Sequence, residues 1–230
     1  MMWSFCLHSV FREYGWQFFR RIAAPHPVKT VKAFLLAGKI DISAGMTRLS
    51  GPCSPGMRSI VGVGFCLKPM DPPCPSGRAN HDCLCIEQPP ISEPPACRNC
   101  AIREFGMLAL KTGSAFYIMT SARDILLDVF APSLREGRFT SALFVLCRYS
   151  LRPFAVGMLA SGIRGCIFQF KQGDCRDYRT WLLADRGIKN EQTEILDSTR
   201  AMIREIFASA PKESMPAVRF DKRGNVFFAE

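Results

Sequence analysis

The sequence predicts an α/β protein: a small parallel sheet with flanking helices, preceded by a helical N-terminal appendage and followed by a C-terminal hairpin. Three observations carry this expectation. Between about residues 60 and 190, short apolar runs alternate with longer amphipathic segments, the order that strands and crossover helices produce. Residues 1–59 lack that alternation and hold most of the excess positive charge. The tail AVRFDKRGNVFFAE alternates polar and apolar residues around a Lys-Arg-Gly-Asn turn. The chain accordingly divides into a basic helical segment (1–59), a cysteine-rich α/β domain (60–190) and a C-terminal helix and hairpin (191–230).

Taken in order, residues 2–23 can form a helix with Trp3, Val10, Phe11, Tyr14, Phe18 and Ile22 near one side and Arg12, Arg20 and Arg21 among them. Such a helix packs on its own domain or lies on a membrane surface. A second short helix starts after Pro27 and stops near Gly38, and residues 43–59 read as loop. SIVGVGFC is a short buried strand ending at Cys66, AFYIMT a second, TSALFVLC a third ending at Cys147, and GCIFQF a fourth. Between them lie AIREFGMLALKTG, a helix stopped by Gly113, and SARDILLDVFAPS, capped by Ser121 and ended before Pro132. RPFAVGMLASG has Pro near its start and Gly at its end, the usual helical asymmetry. A further helix covers RDYRTWLLADRG, and a long amphipathic one about 191–209.

Composition narrows the function. Of 230 residues, 48% are hydrophobic and 22% charged, a globular balance. No apolar run reaches the ~18–20 residues of a membrane span, and the N-terminus lacks a convincing signal peptide. The expected location is cytoplasmic. The net charge of +10 arises mainly before residue 61, where eight Lys/Arg face two acids. No GxGxxG or Walker lysine loop is present, because the glycines of VGVG lie within a strand. Gly-x-Ser-x-Gly is absent, and the three histidines form no recognisable triad.

The informative stretch is residues 66–100, which holds six of eleven cysteines and eight of sixteen prolines. In a reducing compartment, clustered thiols are more often metal ligands or redox groups than disulfides. Cys97-Arg98-Asn99-Cys100 is the strongest local signal, since two thiolates at this spacing can hold one ion from a single turn. Functional groups of an open parallel sheet gather outside the carboxyl ends of its strands. On that rule Cys66, Cys74, Cys97, Cys100, Cys147 and Cys175 converge on one edge. Cys83 and Cys85 form a poorer Cys-x-Cys chelate, and His81 is a possible further ligand. Cys166 opens a strand and reads as a buried structural thiol; Cys6 and Cys53 lie outside the α/β segment. Arg98, Arg148 and Arg176 follow cysteines closely and could balance a thiolate cluster or hold an anionic group; solvated surface arginines are the plain alternative.

The order VGVGFCLKP, Cys74, CRNCAI, GSAFYIMTSARDI, ALFVLC and GDCRDYRTW resembles the bacterial and archaeal domain of unknown function 116 family over residues 60–185. The resemblance implies a cysteine-rich, iron–sulfur or other metal-binding protein, with Cys66, Cys74, Cys97, Cys100, Cys147 and Cys175 at the matching positions. It names no reaction. Phe65 stands where the family usually has histidine, and Gly-Asp-Cys is one residue looser than the family's Gly-Cys.

The leading expectation is an iron–sulfur cluster protein with a redox or cluster-linked role and a redox or protein partner. Only one CxxC is present and the other cysteines are widely spaced, which favours a cluster over zinc. The alternatives are a zinc-stabilised module touching nucleic acid or an acidic partner, and a thiol–disulfide enzyme using Cys97 and Cys100. Nucleic acid is the less favoured partner, because the basic charge belongs to the appendage.

Overall fold

The computed structural model describes residues 13–51, 53–88, 93–210 and 220–229. The chain is α/β, with one seven-stranded mixed sheet at its centre. Its strands are β1 (Met46–Leu49), β2 (Ser59–Gly64), β3 (Ala115–Met119), β4 (Ser141–Leu146), β5 (Arg164–Gln169), β6 (Phe220–Arg223) and β7 (Val226–Ala229), in the order β1-β5-β4-β2-β3-β7-β6. The four central strands are parallel. β1 closes one edge antiparallel to β5, and the β6–β7 hairpin closes the other against β3.

The described helices are α1 (Glu13–Phe18), α2 (Pro27–Gly38), α3 (Leu84–Glu87), α4 (Ala101–Lys111), α5 (Ala122–Ile125), α6 (Ala131–Glu136), α7 (Leu151–Ser161), α8 (Tyr178–Asp185) and α9 (Asp197–Ala208). No described helix is long and apolar enough to cross a membrane.

The strand sequences explain their place. β2 and β3 are buried at every residue, which requires cover on both faces and an apolar run rather than alternation. Successive side chains then serve two cores. Val61, Val63, Phe116, Ile118, Leu143 and Val145 meet Ile102, Phe105 and Ala109 of α4 and Ile203 and Phe207 of α9. Ile60, Tyr117, Ala142, Phe144 and Ile167 face Leu126, Phe130, Ala155 and Met158, with Ala33 and Ala37 of α2 completing that layer. Each fully buried Ile or Phe contributes roughly 1.5–3 kcal/mol.

Several expectations change. Residues 43–59 are not all loop, because Met46–Leu49 pair with β5 and make the N-terminal region part of the sheet. Helix formation in the N-terminal segment is seen for Glu13–Ala23, as α1 and a π-helical turn over Phe19–Ala23; residues 2–12 lie outside the described residues. Pro132 does not end its helix. The chain widens to a π-helix over Leu126–Phe130, and Pro132 falls in the first turn of α6, where a missing N–H costs little. The long C-terminal helix starts at Asp197 rather than 191. Ser121 caps α5 as expected, its Oγ accepting from the Asp124 N–H at 3.1 Å.

Cys166 is not a lone buried thiol. It is disulfide-bonded to Cys53 across 113 residues, with Cα atoms 5.6 Å apart. A reducing compartment disfavours any such bond, and the two cysteines are too far apart in sequence for spacing to suggest it.

Winding decides where a site can form. β2 leads through α4 to β3 on one side, but the chain then crosses to β4 on the other side of β2 and continues outward to β5. The direction of winding therefore reverses between β2 and β4. Beyond their carboxyl ends the following segments diverge to opposite faces and leave a crevice, the usual place for a ligand in such sheets.

Gly165 supplies a test of the sheet. Its φ is +131°, and an added Cβ would collide with the carbonyl oxygen of Ala142, its neighbour on β4. Gly165→Ala should destabilise the protein by about 3 kcal/mol, combining backbone strain and overpacking. Urea denaturation of the two proteins measures the difference.

Candidate functional site

Three of the four parallel strands, β2, β4 and β5, lead to a cysteine at the same edge. β2 runs into a 3₁₀ turn, Phe65–Leu67, that carries Cys66. Cys147 follows β4 directly and caps the 3₁₀ turn Arg148–Ser150 that leads into α7. Cys175 lies in the loop after β5. The long loop after Leu67 returns through α3 to Cys97 and Cys100, and Cys100 is the N-cap residue of α4. Gly106 lets this loop settle, because any side chain there would strike Ile86 of α3.

The thiols interact in two groups. The first contains Cys74, Cys83, Cys85, Cys97 and Cys100. The Cys85 and Cys97 sulfurs are 2.7 Å apart, and the charges of Cys74, Cys83, Cys85 and Cys100 are felt by others in the set. Burial pushes the Cys83 thiol up to about 12. Cys97 and Cys100 are also raised, first by burial; for Cys97 its hydrogen bond with Cys85 adds to the rise. Backbone N–H groups of Ile102 and Arg103, at the start of α4, partly offset the rise at Cys100.

Lys68 is buried beside this group, with 1% of its surface exposed. Its ammonium donates to the Asn80 carbonyl at 3.1 Å and to Asn80 Oδ1, and among the described residues it forms no ion pair. Burial lowers its pKa, while Cys74, Cys83, Asp82 and Cys100 oppose that shift when negatively charged. A buried ammonium is costly unless an anion compensates it. Thiolates would be such anions.

The second group is Cys66, Cys147 and Cys175, at the reversal point between β2 and β4. All three line a cavity of ≈ 110 Å³ walled mainly by apolar side chains. Cys147 is lowered to about 7 by its interaction with the Cys175 thiol and then by Ser150, against the opposing effect of burial. The Ser150 Oγ lies 2.9 Å from Cys147 Sγ. Cys175 moves the opposite way, because its proton is held by the hydrogen bond to Cys147. Cys66 is raised to about 11, chiefly by burial.

The six cysteines expected to meet therefore divide. Cys74, Cys97 and Cys100 join Cys83 and Cys85, whereas Cys66, Cys147 and Cys175 gather around the cavity. Arg98, Arg148 and Arg176 are exposed. The basic groups whose charge reaches the thiols are instead Lys68, Arg78 and Lys189. Lys68 and Arg78 were within the loop already singled out, but nothing in their spacing distinguishes them from surface cations. Arg78 also ties the loop down by donating to the carbonyls of Cys66, Lys189 and Glu191. His81 is engaged elsewhere: Nδ1 meets the Ile118 carbonyl at 2.7 Å and Nε2 the Thr120 hydroxyl at 2.9 Å.

The fit to a metal has two sides. Among the described residues, no three His, Cys, Asp or Glu side chains are drawn together as a ready set for one ion. Two thiolates bound to one tetrahedral ion at about 2.3 Å stand roughly 3.8 Å apart, farther than Cys85 and Cys97. The donor chemistry of the first group nevertheless suits a thiolate-ligated centre: five thiols, an apolar surround and a buried cation. No protein-family model, curated protein or solved structure matches the chain.

The hydrogen bonds to Cys147 predict a distinctive reactivity. Alkylation by iodoacetamide, followed by mass spectrometry of the peptides, should show Cys147 half-maximal near pH 7. Cys83 should stay unmodified throughout the neutral range. Ser150→Ala should move the Cys147 midpoint upward, since it removes a donor to the thiolate.

Proposed function

We propose that the first thiol group holds a metal centre, with an iron–sulfur cluster the best-suited occupant, and that the protein has a redox or cluster-linked role. The burial of Lys68 within reach of the charges of Cys74, Cys83 and Cys100 is the observation that carries this reading. Asp82 partly offsets the ammonium charge, and thiolates bound to a centre would supply further negative charge beside it. Cys83, Cys85, Cys97 and Cys100 would be the ligands, from one Cys-x-Cys and one CxxC, with Cys74 adjacent. The likeness in motif order to the domain of unknown function 116 family favours the same chemistry.

When bound, a cluster of this kind supplies one-electron transfer at a potential tuned by hydrogen bonds, burial and net charge. The chain's own contribution is to exclude water and fix the donors. Ile86 and Phe105 are fully buried in the core under the loop. Cys100, at the start of α4, receives backbone N–H groups that stabilise a thiolate there. Lys68 balances charge while its own donors are satisfied by Asn80.

The Cys85–Cys97 contact favours a second reading, in which these two thiols close into a disulfide on oxidation and the loop acts as a thiol switch. That reading requires no metal. The zinc module remains a further alternative within the same donor set.

Protein purified without oxygen should contain stoichiometric iron and sulfide and absorb broadly near ~400 nm. Cys83→Ser, Cys97→Ser or Cys100→Ser should remove most of the metal, and Cys166→Ser should not. Lys68→Met should weaken retention, because it deletes the compensating charge while keeping most of the side chain's volume. Metal-free protein with a Cys85–Cys97 disulfide after mild oxidation would favour the thiol switch; bound zinc without iron would favour the zinc module.

A further inference from the structure

The second thiol group has features that the proposed metal site does not use. Cys147 and Cys175 come from loops after different strands, β4 and β5, yet both are buried in the wall of one cavity, where each shifts the titration of the other. Both open onto the cavity at the reversal point. Ser150 places its hydroxyl 2.9 Å from the Cys147 sulfur, and its N–H donates to the Cys147 carbonyl at 3.0 Å, from the turn that leads into α7. A hydroxyl at this distance can donate to a thiolate on Cys147 and so stabilise it.

The cavity wall describes what could approach. Phe65, Met119, Phe130, Phe154 and Phe170 make it apolar, and Asp174, Asp185 and Lys189 supply its charged groups. Its volume of ≈ 110 Å³ is comparable with engineered apolar cavities of about 150 Å³ that admit benzene. A ring-sized apolar arm is therefore the largest group it can enclose without rearrangement.

We infer that Cys147 and Cys175 are a dithiol–disulfide pair that reduces a disulfide carrying a small apolar arm bound in this cavity. The Cys147 thiolate attacks one substrate sulfur; the Cys147 S–S bond forms as the substrate S–S bond breaks, and the departing thiolate takes up a proton. Cys175, having lost its proton, then attacks Cys147 Sγ and releases the second substrate thiol. Two protein thiols are oxidised to one disulfide, and one substrate disulfide is reduced to two thiols. This pair is distinct from Cys97 and Cys100, and the inference does not depend on a metal in the first group.

Dipyridyl disulfide, neutral and aromatic, is a suitable probe. With less than one equivalent added to the full-length protein, peptide mapping should recover a Cys147–Cys175 disulfide. Cys175→Ser should instead retain a pyridyl mixed disulfide on Cys147. Cys147→Ser should slow release of the first pyridinethione at least about tenfold. Relative to free cysteine, the protein should favour dipyridyl disulfide over the charged glutathione disulfide. Circular dichroism and metal content of each variant keep folding and the metal reading separate. The inference is overturned if the probe reacts first at other cysteines, if Cys175→Ser accumulates no adduct on Cys147, or if Cys147→Ser and Cys175→Ser lose metal as fully as Cys97→Ser does.

Discussion

The rest of the molecule is organised around the pairing of β2 with β3 on one side and β4 on the other. Ile60–Gly64 run parallel to Ala115–Met119, and Ser59–Val63 run parallel to Ser141–Val145. This double pairing places the middle strand where both faces must be dry. Gly62 is needed in it, because an added Cβ would meet the ring of Phe144. It also directs the segments after β2 and β4 to opposite faces, so the crevice at their carboxyl ends follows from topology rather than from a special loop.

Two thiol environments grow from that edge, and they differ physically. In the first group, burial raises Cys83, Cys97 and Cys100, so a metal or oxidation is what would draw off their protons. In the second, the interactions with Cys175 and Ser150 outweigh burial and lower Cys147. The same residue type thus acquires opposite chemistry according to how many donors face it. Separate groups also allow separate roles, which one convergent site of six cysteines would not.

The loop between them is held by polar groups as much as by apolar packing. Arg78 bridges it to the segment around Lys189 and Glu191, and Asn80 caps the Lys68 ammonium. Lys222 of the terminal hairpin pairs with Asp82 and Glu87, bringing the C-terminal end of the chain onto the same loop. The N-terminal region is joined from the far side, through β1 and the Cys53–Cys166 disulfide. Segments that look like separate appendages in the sequence therefore support the central domain directly.

By itself the sequence determined the elements whose signals are local. SIVGVG, AFYIM and SALFVL read as buried strands because a parallel sheet with two covered faces needs unbroken apolar runs. Ser121 and Gly162 mark helix ends through caps that depend only on near neighbours. The placement of cysteines at strand ends was legible for the same reason. Tertiary structure alone decided what depends on distance in space. The division of Cys66, Cys147 and Cys175 from Cys74, Cys97 and Cys100, the recruitment of Cys83 and Cys85, and the bond between Cys53 and Cys166 all follow from how separated segments pack. Lys68 shows the limit most clearly. As a residue type it reads as a surface cation, and only the folding of the cysteine loop over it turns its charge into a buried demand for an anion.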